Sequence, residues 1–277
     1  MRIGGITVSP LIDGEIADLP TAYYTNVTEE DWQPYAHLLD ECTGGLTETV
    51  GGFLVRSGDR LVVVDTGSGP QPTFPFVGGA LRSALAAEGV RPSDVTDVVF
   101  THLHVDHIGW ATVGGKPFFP NATYRVDRRD WDHFMDPGYT MPDWEPMVSE
   151  PSRDQASVRL APVADRMEFF EGDSEIFAGL RSVEASGHTP GSTVLEIESD
   201  GERGLLIGDL VHALPELLSD KEWDFFAHVD GRAALESIDR IVRRLVDERL
   251  PFAGSHFTGL PWLRLDTDNG HRVARGV

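Results

Sequence analysis

The segment FTHLHVDHIGW, residues 100–110, places His102, His104, Asp106 and His107 within six positions, directly after a short apolar run. Neutral imidazole and carboxylate are the ligands that zinc and its neighbours prefer. In extended backbone, residues two apart point to the same side, so His102 and His104 can face one point in space. Asp106 and His107 arrive as the chain bends at Ile108–Gly109. Two ligands on each side is a natural way to begin holding two cations. One cluster is too small for a pair of ions, so further ligands are expected at other strand ends. His188 in SGHTPGS, Asp209 at the end of LLIGD and His256 after FAGS all follow apolar runs. Strand ends of this kind present their residues to a cleft.

Such a set would run hydrolysis without a serine or cysteine nucleophile. Two divalent ions roughly 3.5–4 Å apart can share a water and lower its pKa from about 15.7 towards ~7, giving a bridging hydroxide. Its target would be a carbonyl or phosphoryl centre, and Asp106 is placed to carry a proton to the leaving group. Cys42, the only cysteine, has no histidine cluster beside it and reads as an ordinary loop or core residue.

These side chains need strands to position them. GGFLVRSGDRLVVVDTG (51–67) reads as a hairpin turning at Ser57–Arg60, and DVVF (97–100) and TYRV (123–126) as further strands. A second group comprises LRSVEA (180–185), STVLEIES (192–199), RGLLIGD (203–209) and LPFAGS (250–255). Helices are expected over 78–89 and 231–249; in the latter, Leu235, Ile238, Ile241, Val242, Leu245 and Val246 recur at three and four. LVVVDTG and LLIGDL both end an apolar strand at an aspartate, Asp65 and Asp209, as two similar half-domains facing each other would. The pattern predicts a layered α/β fold in one domain spanning 1–277. The Pro-, Asp- and Ser-rich stretch 136–157 is expected to be a long surface loop or lid.

The chain has 277 residues, 40% of them hydrophobic, and a net charge of −22. A surface this acidic argues against nucleic acid and anionic membranes as partners. No apolar stretch approaches the ~20 residues of a membrane-spanning helix. The start, MRIGGITVSPLIDGEI, lacks a secretory pattern, and the single cysteine suits a reducing compartment, so a cytoplasmic protein is expected.

Taken in order, His102-x-His104-x-Asp106-His107, His188 in a Gly-His-Thr-Pro-Gly turn, Asp209 after a strand and a late His256 resemble the metallo-β-lactamase-fold hydrolases. The resemblance runs from about residue 50 to 260. It implies an αββα sandwich, two mixed sheets face to face with helices outside. It also implies that His102, His104 and His188 hold one ion, Asp106, His107 and His256 a second, and that Asp209 bridges both. Asp65 would orient a histidine ligand by hydrogen bond. Zinc is the first expectation, and Mn, Fe and Co suit the same ligands. A homodimer is expected by resemblance alone.

Within the family, the stretch after His188 lacks the cysteine ligand of several true β-lactamases. His104 stands where the flavin-linked di-iron members have Glu, and the acidic chain lacks the basic surface of RNA-processing members. Small-molecule hydrolases remain, namely lactonases, glyoxalase-II-like thioesterases and the methyl-parathion-hydrolase-like group. GDLVHALPEL and WDFFAHVDG look most like the last. His212 stands where many lactonases place a substrate-contacting Tyr, and is either an oxyanion donor or a residue lining the cleft.

The expected activity is therefore cleavage of a neutral, partly apolar ester, lactone or phosphotriester. A mono-iron persulfide dioxygenase on the same scaffold is the alternative, disfavoured because all seven ligand positions are filled; a non-catalytic descendant is weaker still. Trp110 and Phe257 are the first candidates for the pocket wall, followed by Phe74, Phe76, Phe118, Phe119 and Trp144. His37, His133, His228 and His271 read as surface or helix residues.

Overall fold

The computed structural model describes residues 1–70 and 77–277. Phe74 and Phe76 lie outside the described residues. The expected hairpin forms from Leu46–Ser57 and Arg60–Val64, pairing antiparallel with Ser57 opposite Arg60. Side-chain alternation then sorts Val62 and Val64 to one face and Leu61 and Val63 to the other. Val62 and Val64 enter an apolar layer with Phe53, Val55 and Val99, closed from the opposite side by Leu195, Ile197 and Leu206. Val63 packs outward against Leu81 and Leu85 of the helix Leu81–Ala87.

Two seven-stranded sheets meet across that inner layer. The first runs Arg2–Ile3, Ile6–Asp18, Leu46–Ser57, Arg60–Val64, Asp97–Val99, Thr123–Asp127 and Met167–Phe170. Its last three pairings are parallel and the others antiparallel. The second runs Ser174–Phe177, Leu180–Glu184, Thr193–Ser199, Glu202–Leu206, Pro251–Ala253, Leu263–Asp268 and His271–Gly276. There, only Glu202–Leu206 with Pro251–Ala253 is parallel.

The helix Gly231–Asp247 lays Ile238, Ile241, Val242 and Leu245 on the outer face of this sheet, against Val194, Leu205 and Phe252. Asp230 caps its first turn by accepting from the Ala233 N–H. Helices therefore cover both outer faces, and the expected αββα sandwich of mixed sheets is what the chain forms. The internal echo is visible too. Arg60–Val64 and Glu202–Leu206 are each the second arm of a hairpin, and each pairs parallel with a later strand, Asp97–Val99 or Pro251–Ala253.

The segment 136–157 is not an irregular loop. It carries the short helices Glu145–Val148 and Pro151–Asp154, and buries Glu145, Ser149 and Asp154. No helix among the described residues is long and apolar enough to cross a membrane.

One buried carboxylate organises the approach to the site. The pairing of Ile6–Asp18 with Leu46–Ser57 shifts register between Ile12 and Gly14. The irregularity falls at Asp13, which is buried. Its oxygens accept from the backbone of Gly69, Gly79 and Leu81 and from the Trp110 indole, at 2.8–3.1 Å. Asp13→Ala would strand four donors, each costing ~1–3 kcal/mol when buried and unpaired. The expected loss is at least ~3 kcal/mol of unfolding free energy in urea titration.

Candidate metal centre

The candidate ligands sit where strands of both sheets end. After Asp97–Val99 the chain stays extended, so Leu103 turns into the core while His102 and His104 face the other way, His102 Nε2 lying 3.1 Å from His104 Nδ1. A single helical turn, Val105–Ile108, then presents Asp106 and His107. Asp65 secures this segment. It accepts from the Thr101 N–H and the Thr101 hydroxyl, both at 2.8 Å, and its Oδ2 lies 3.0 Å from His107 Nδ1. Its φ of 56° is left-handed, a conformation that costs a non-glycine residue of order 1–3 kcal/mol and persists only where surroundings enforce it.

The second sheet supplies His188, Asp209 and His256. Gly187, with φ 137°, lets the His188 turn press on the helix Gly231–Asp247; a Cβ there would meet the Ala234 backbone nitrogen at 2.0 Å. Asp130 ties this turn to the first cluster, its carboxylate accepting from the Leu103 N–H at 2.9 Å and the Gly191 N–H at 2.6 Å. Burial pushes Asp130 up to about 6, with those donors opposing the rise.

Asp209 lies at the middle. Its Oδ2 is 3.0 Å from His256 Nε2, 3.3 Å from His212 Nε2, 3.5 Å from His188 Nε2 and 3.6 Å from His102 Nε2. Its Oδ1 is 3.2 Å from His107 Nε2. Ligand atoms of His102, His104 and His188 lie within 4.8 Å of one another, as do those of Asp106, His107 and His256. His102–His107–Asp209 and His188–Asp209–His212 form overlapping groups. The sequence-derived set of seven is therefore brought together, and His212 joins it.

This arrangement fits a cation. His188 Nε2 is buried without a hydrogen-bond partner among the described residues, and His107 Nε2 and Asp209 Oδ1 have only each other, at 3.2 Å. Imidazole nitrogens converging on one another cannot all be satisfied by sharing protons. Burial holds His102 and His188 well below the usual histidine range and His104 at about 4, which leaves their lone pairs free for a metal. Burial acts the same way on His107 and His256, but Asp209 overrides it, and His256 rises to about 10. Burial raises Asp209 as well, yet His107, His256 and His102 keep it well below the carboxylate range. A divalent ion would replace these protons as the partner of the carboxylate.

The cavity above the centre is lined by Ile16, Tyr23, Glu48, Trp144, Val148, Phe225 and Phe226 together with His104, Asp106, His188, Asp209, His212 and His256. Trp144 meets His104 edge-on at 5.4 Å. Trp110 does not reach this cavity: Asp13 takes its indole N–H, and its ring packs on Phe118 in the core, which also holds Phe119. Phe257 lines an adjoining cavity instead, beyond Glu48, His212 and His256. His37 and His271 are exposed, and His133 lies on the helix Arg128–Met135. His228 departs from the expected surface position, its Nδ1 lying 3.2 Å from His188 Nδ1. Nothing in the local sequence announces this contact, because it depends on how WDFFAHVDG folds back over the His188 turn, with the Val229 N–H donating to the His188 carbonyl. Glu48, Tyr23 and Phe225 were equally invisible.

A family model for the metallo-beta-lactamase superfamily matches residues 52–255. The chain belongs to this superfamily. Metallo-beta-lactamase domain-containing protein 1 of Mus musculus is 54% identical over 65 residues, covering 24% of this chain but only 21% of that protein. An N-acyl homoserine lactonase of Bacillus sp is 24% identical over 215 residues, 71% of this chain and 76% of its own length. Among solved structures, AidC, described as a dizinc quorum-quenching lactonase, superposes with a TM-score of 0.85 at 20% identity, covering 100% of this chain and 96% of its own. The hydrolase AbOPH gives 0.83 at 24% identity, with coverage of 100% and 95%. At these identities the superpositions speak for a shared superfamily fold.

A His188 whose Nε2 lone pair faces the centre carries its proton on Nδ1, and His228 is placed to accept it. His228→Phe should weaken divalent-metal affinity by about ten- to a hundredfold in chelator competition. His133→Phe, away from the centre, should leave it unchanged.

Proposed function

We propose that this chain is a binuclear metal-dependent hydrolase that cleaves an ester, lactone or phosphotriester bond of a small molecule. The observation carrying this reading is the Asp209 carboxylate, which directs one oxygen to His107 and the other to His188, His102 and His256. His102, His104 and His188 would hold one ion, Asp106, His107 and His256 the other, and Asp209 both; zinc suits this set. Bound there, such ions would make water a nucleophile near neutral pH and polarise the substrate oxygen.

The protein's own groups do the rest. Asp65 fixes His107 and Thr101, and so the register of the whole first cluster. Asp106 sits on the cavity wall, where its carboxylate can pass a proton to the departing oxygen. His212 stands face to face with Phe225, ring centroids 3.5 Å apart. Glu216 accepts from its backbone N–H at 2.7 Å. So held, the His212 ring can donate to an oxygen that gains negative charge. Trp144, Phe225 and Phe226 exclude water and offer an apolar body its binding surface.

Protein purified without chelator should carry close to two divalent ions. Screened against lactones, thioesters, aryl esters and phosphotriesters, it should lose activity with the ions and regain it on reloading. His104→Ala should lower kcat/KM by at least about a hundredfold. Fewer than one ion per chain, or full activity in that variant, would overturn the reading.

A further inference from the structure

Glu48 is the one cavity group whose charge the proposed chemistry does not use. It lies on Leu46–Ser57 in phase with Leu46 and Val50, both buried and apolar, and opposite Ile16 on the neighbouring strand. A hydrophobic residue is what packing alone would place there. Glu48 is 3% exposed, and its Oε1 has no hydrogen-bond partner among the described residues. The Tyr23 hydroxyl faces it, burial pushes its carboxyl up to about 7, and His256 and His212 oppose that rise. Glu48 belongs to none of the four groups whose ligand atoms come together around the centre.

A buried carboxylate with an oxygen left without a hydrogen-bond partner is costly unless something cationic or strongly donating meets it. Glu48 lines both the cavity over the candidate ligands and the adjoining one beyond His212 and His256, and neither wall contains a lysine or arginine. Apart from His212 and His256, the wall near it is largely aromatic and aliphatic. Tyr23 stacks on Phe225 with rings 14° apart, and Trp144 meets Phe226 edge-on. Aromatic faces around a lone carboxylate favour an organic cation, the rings through their negative π-faces and the carboxylate through a charge-assisted hydrogen bond. The net charge of −22 attracts such ligands and repels anionic ones.

We infer that Glu48 anchors a protonated amine on the substrate, so that the preferred ester or lactone carries an ammonium group on a short apolar arm. This rests on the hydrolase reading for the ligand being a substrate, and replaces the neutral molecule expected from sequence with a cationic one.

The test compares 4-nitrophenyl 6-aminohexanoate with its uncharged isostere 4-nitrophenyl heptanoate on the metal-loaded enzyme. The wild type should favour the ammonium ester by at least about tenfold in kcat/KM, the order expected for a hydrogen bond to a charged group. In Glu48→Gln the ratio should collapse towards one. That variant keeps the side-chain volume, and an unchanged Tm shows that it still folds. A wild-type ratio near one, or a ratio that survives Glu48→Gln, would overturn the inference. Calorimetry of hexylammonium against 1-hexanol separates it from the hydrolase reading. If neither ester is cleaved, at least tenfold tighter hexylammonium binding that Glu48→Gln abolishes still supports the subsite, and equal binding refutes it.

Discussion

Five imidazoles packed around the Asp209 carboxylate cannot satisfy one another by hydrogen bonding alone. Placing so many nitrogen lone pairs and two carboxylates in one buried volume is unfavourable unless a cation joins them. The surrounding structure is built to impose that crowding. Asp65 is held at positive φ, Gly187 lets the His188 turn lie against a helix backbone, and Asp130 binds the backbone of both ligand segments at once. Each device gives up local stability or packing freedom for the placement of a ligand. The centre and its scaffold are thus one mechanical problem.

The solution uses the two-sheet architecture directly. In each half a hairpin delivers an apolar strand whose end carries an aspartate, Asp65 or Asp209, and the parallel neighbour of that strand leads to histidines. From Asp97–Val99 the chain runs to His102, and from Pro251–Ala253 to His256. Apolar packing between the sheets aligns the two sets of strand ends, so their facing orientation follows from the core. That is why distant segments of sequence can meet within a few ångströms.

The same logic explains what the sequence made legible. The ligands were readable because each combines a distinctive residue type with a strand-end position, and because alternation in extended backbone is local geometry. The hairpin, the strands around residues 97–126 and 180–206 and the long amphipathic helix followed from periodicity for the same reason. The long Ile6–Asp18 strand and the final hairpin Leu263–Asp268/His271–Gly276 were not read, since their polar and apolar residues mix and only pairing partners define them. Proximity along the chain misled in Trp110, which is three residues from His107 yet turned away to satisfy Asp13. It misled again in Phe257, which follows His256 but faces the adjoining cavity. Conversely His228, forty residues from His188, touches it. Contacts set by how loops cross carry no period and no motif.

The two halves of the centre are also chemically unequal. His102, His104 and His188 form a group without a carboxylate, whereas His107 and His256 are grouped with Asp106. Burial pushes the first three down, while Asp209 and Asp106 push His107 and His256 up in the absence of a metal. The side with Asp106 offers more negative charge, and the three-histidine side offers softer, neutral donors. Asp209 lies within 3.6 Å of nitrogens from both sets, His102 and His188 in one and His107 and His256 in the other. A change there disturbs them together, whereas loss of an outer histidine is felt first on its own side. Beside this unequal pair Glu48 adds a carboxylate that belongs to none of the ligand groups, on the same cavity wall as Tyr23, Trp144 and Phe225. Carboxylates in this cavity therefore stand in two places, Asp106 and Asp209 among the histidines and Glu48 outside those groups.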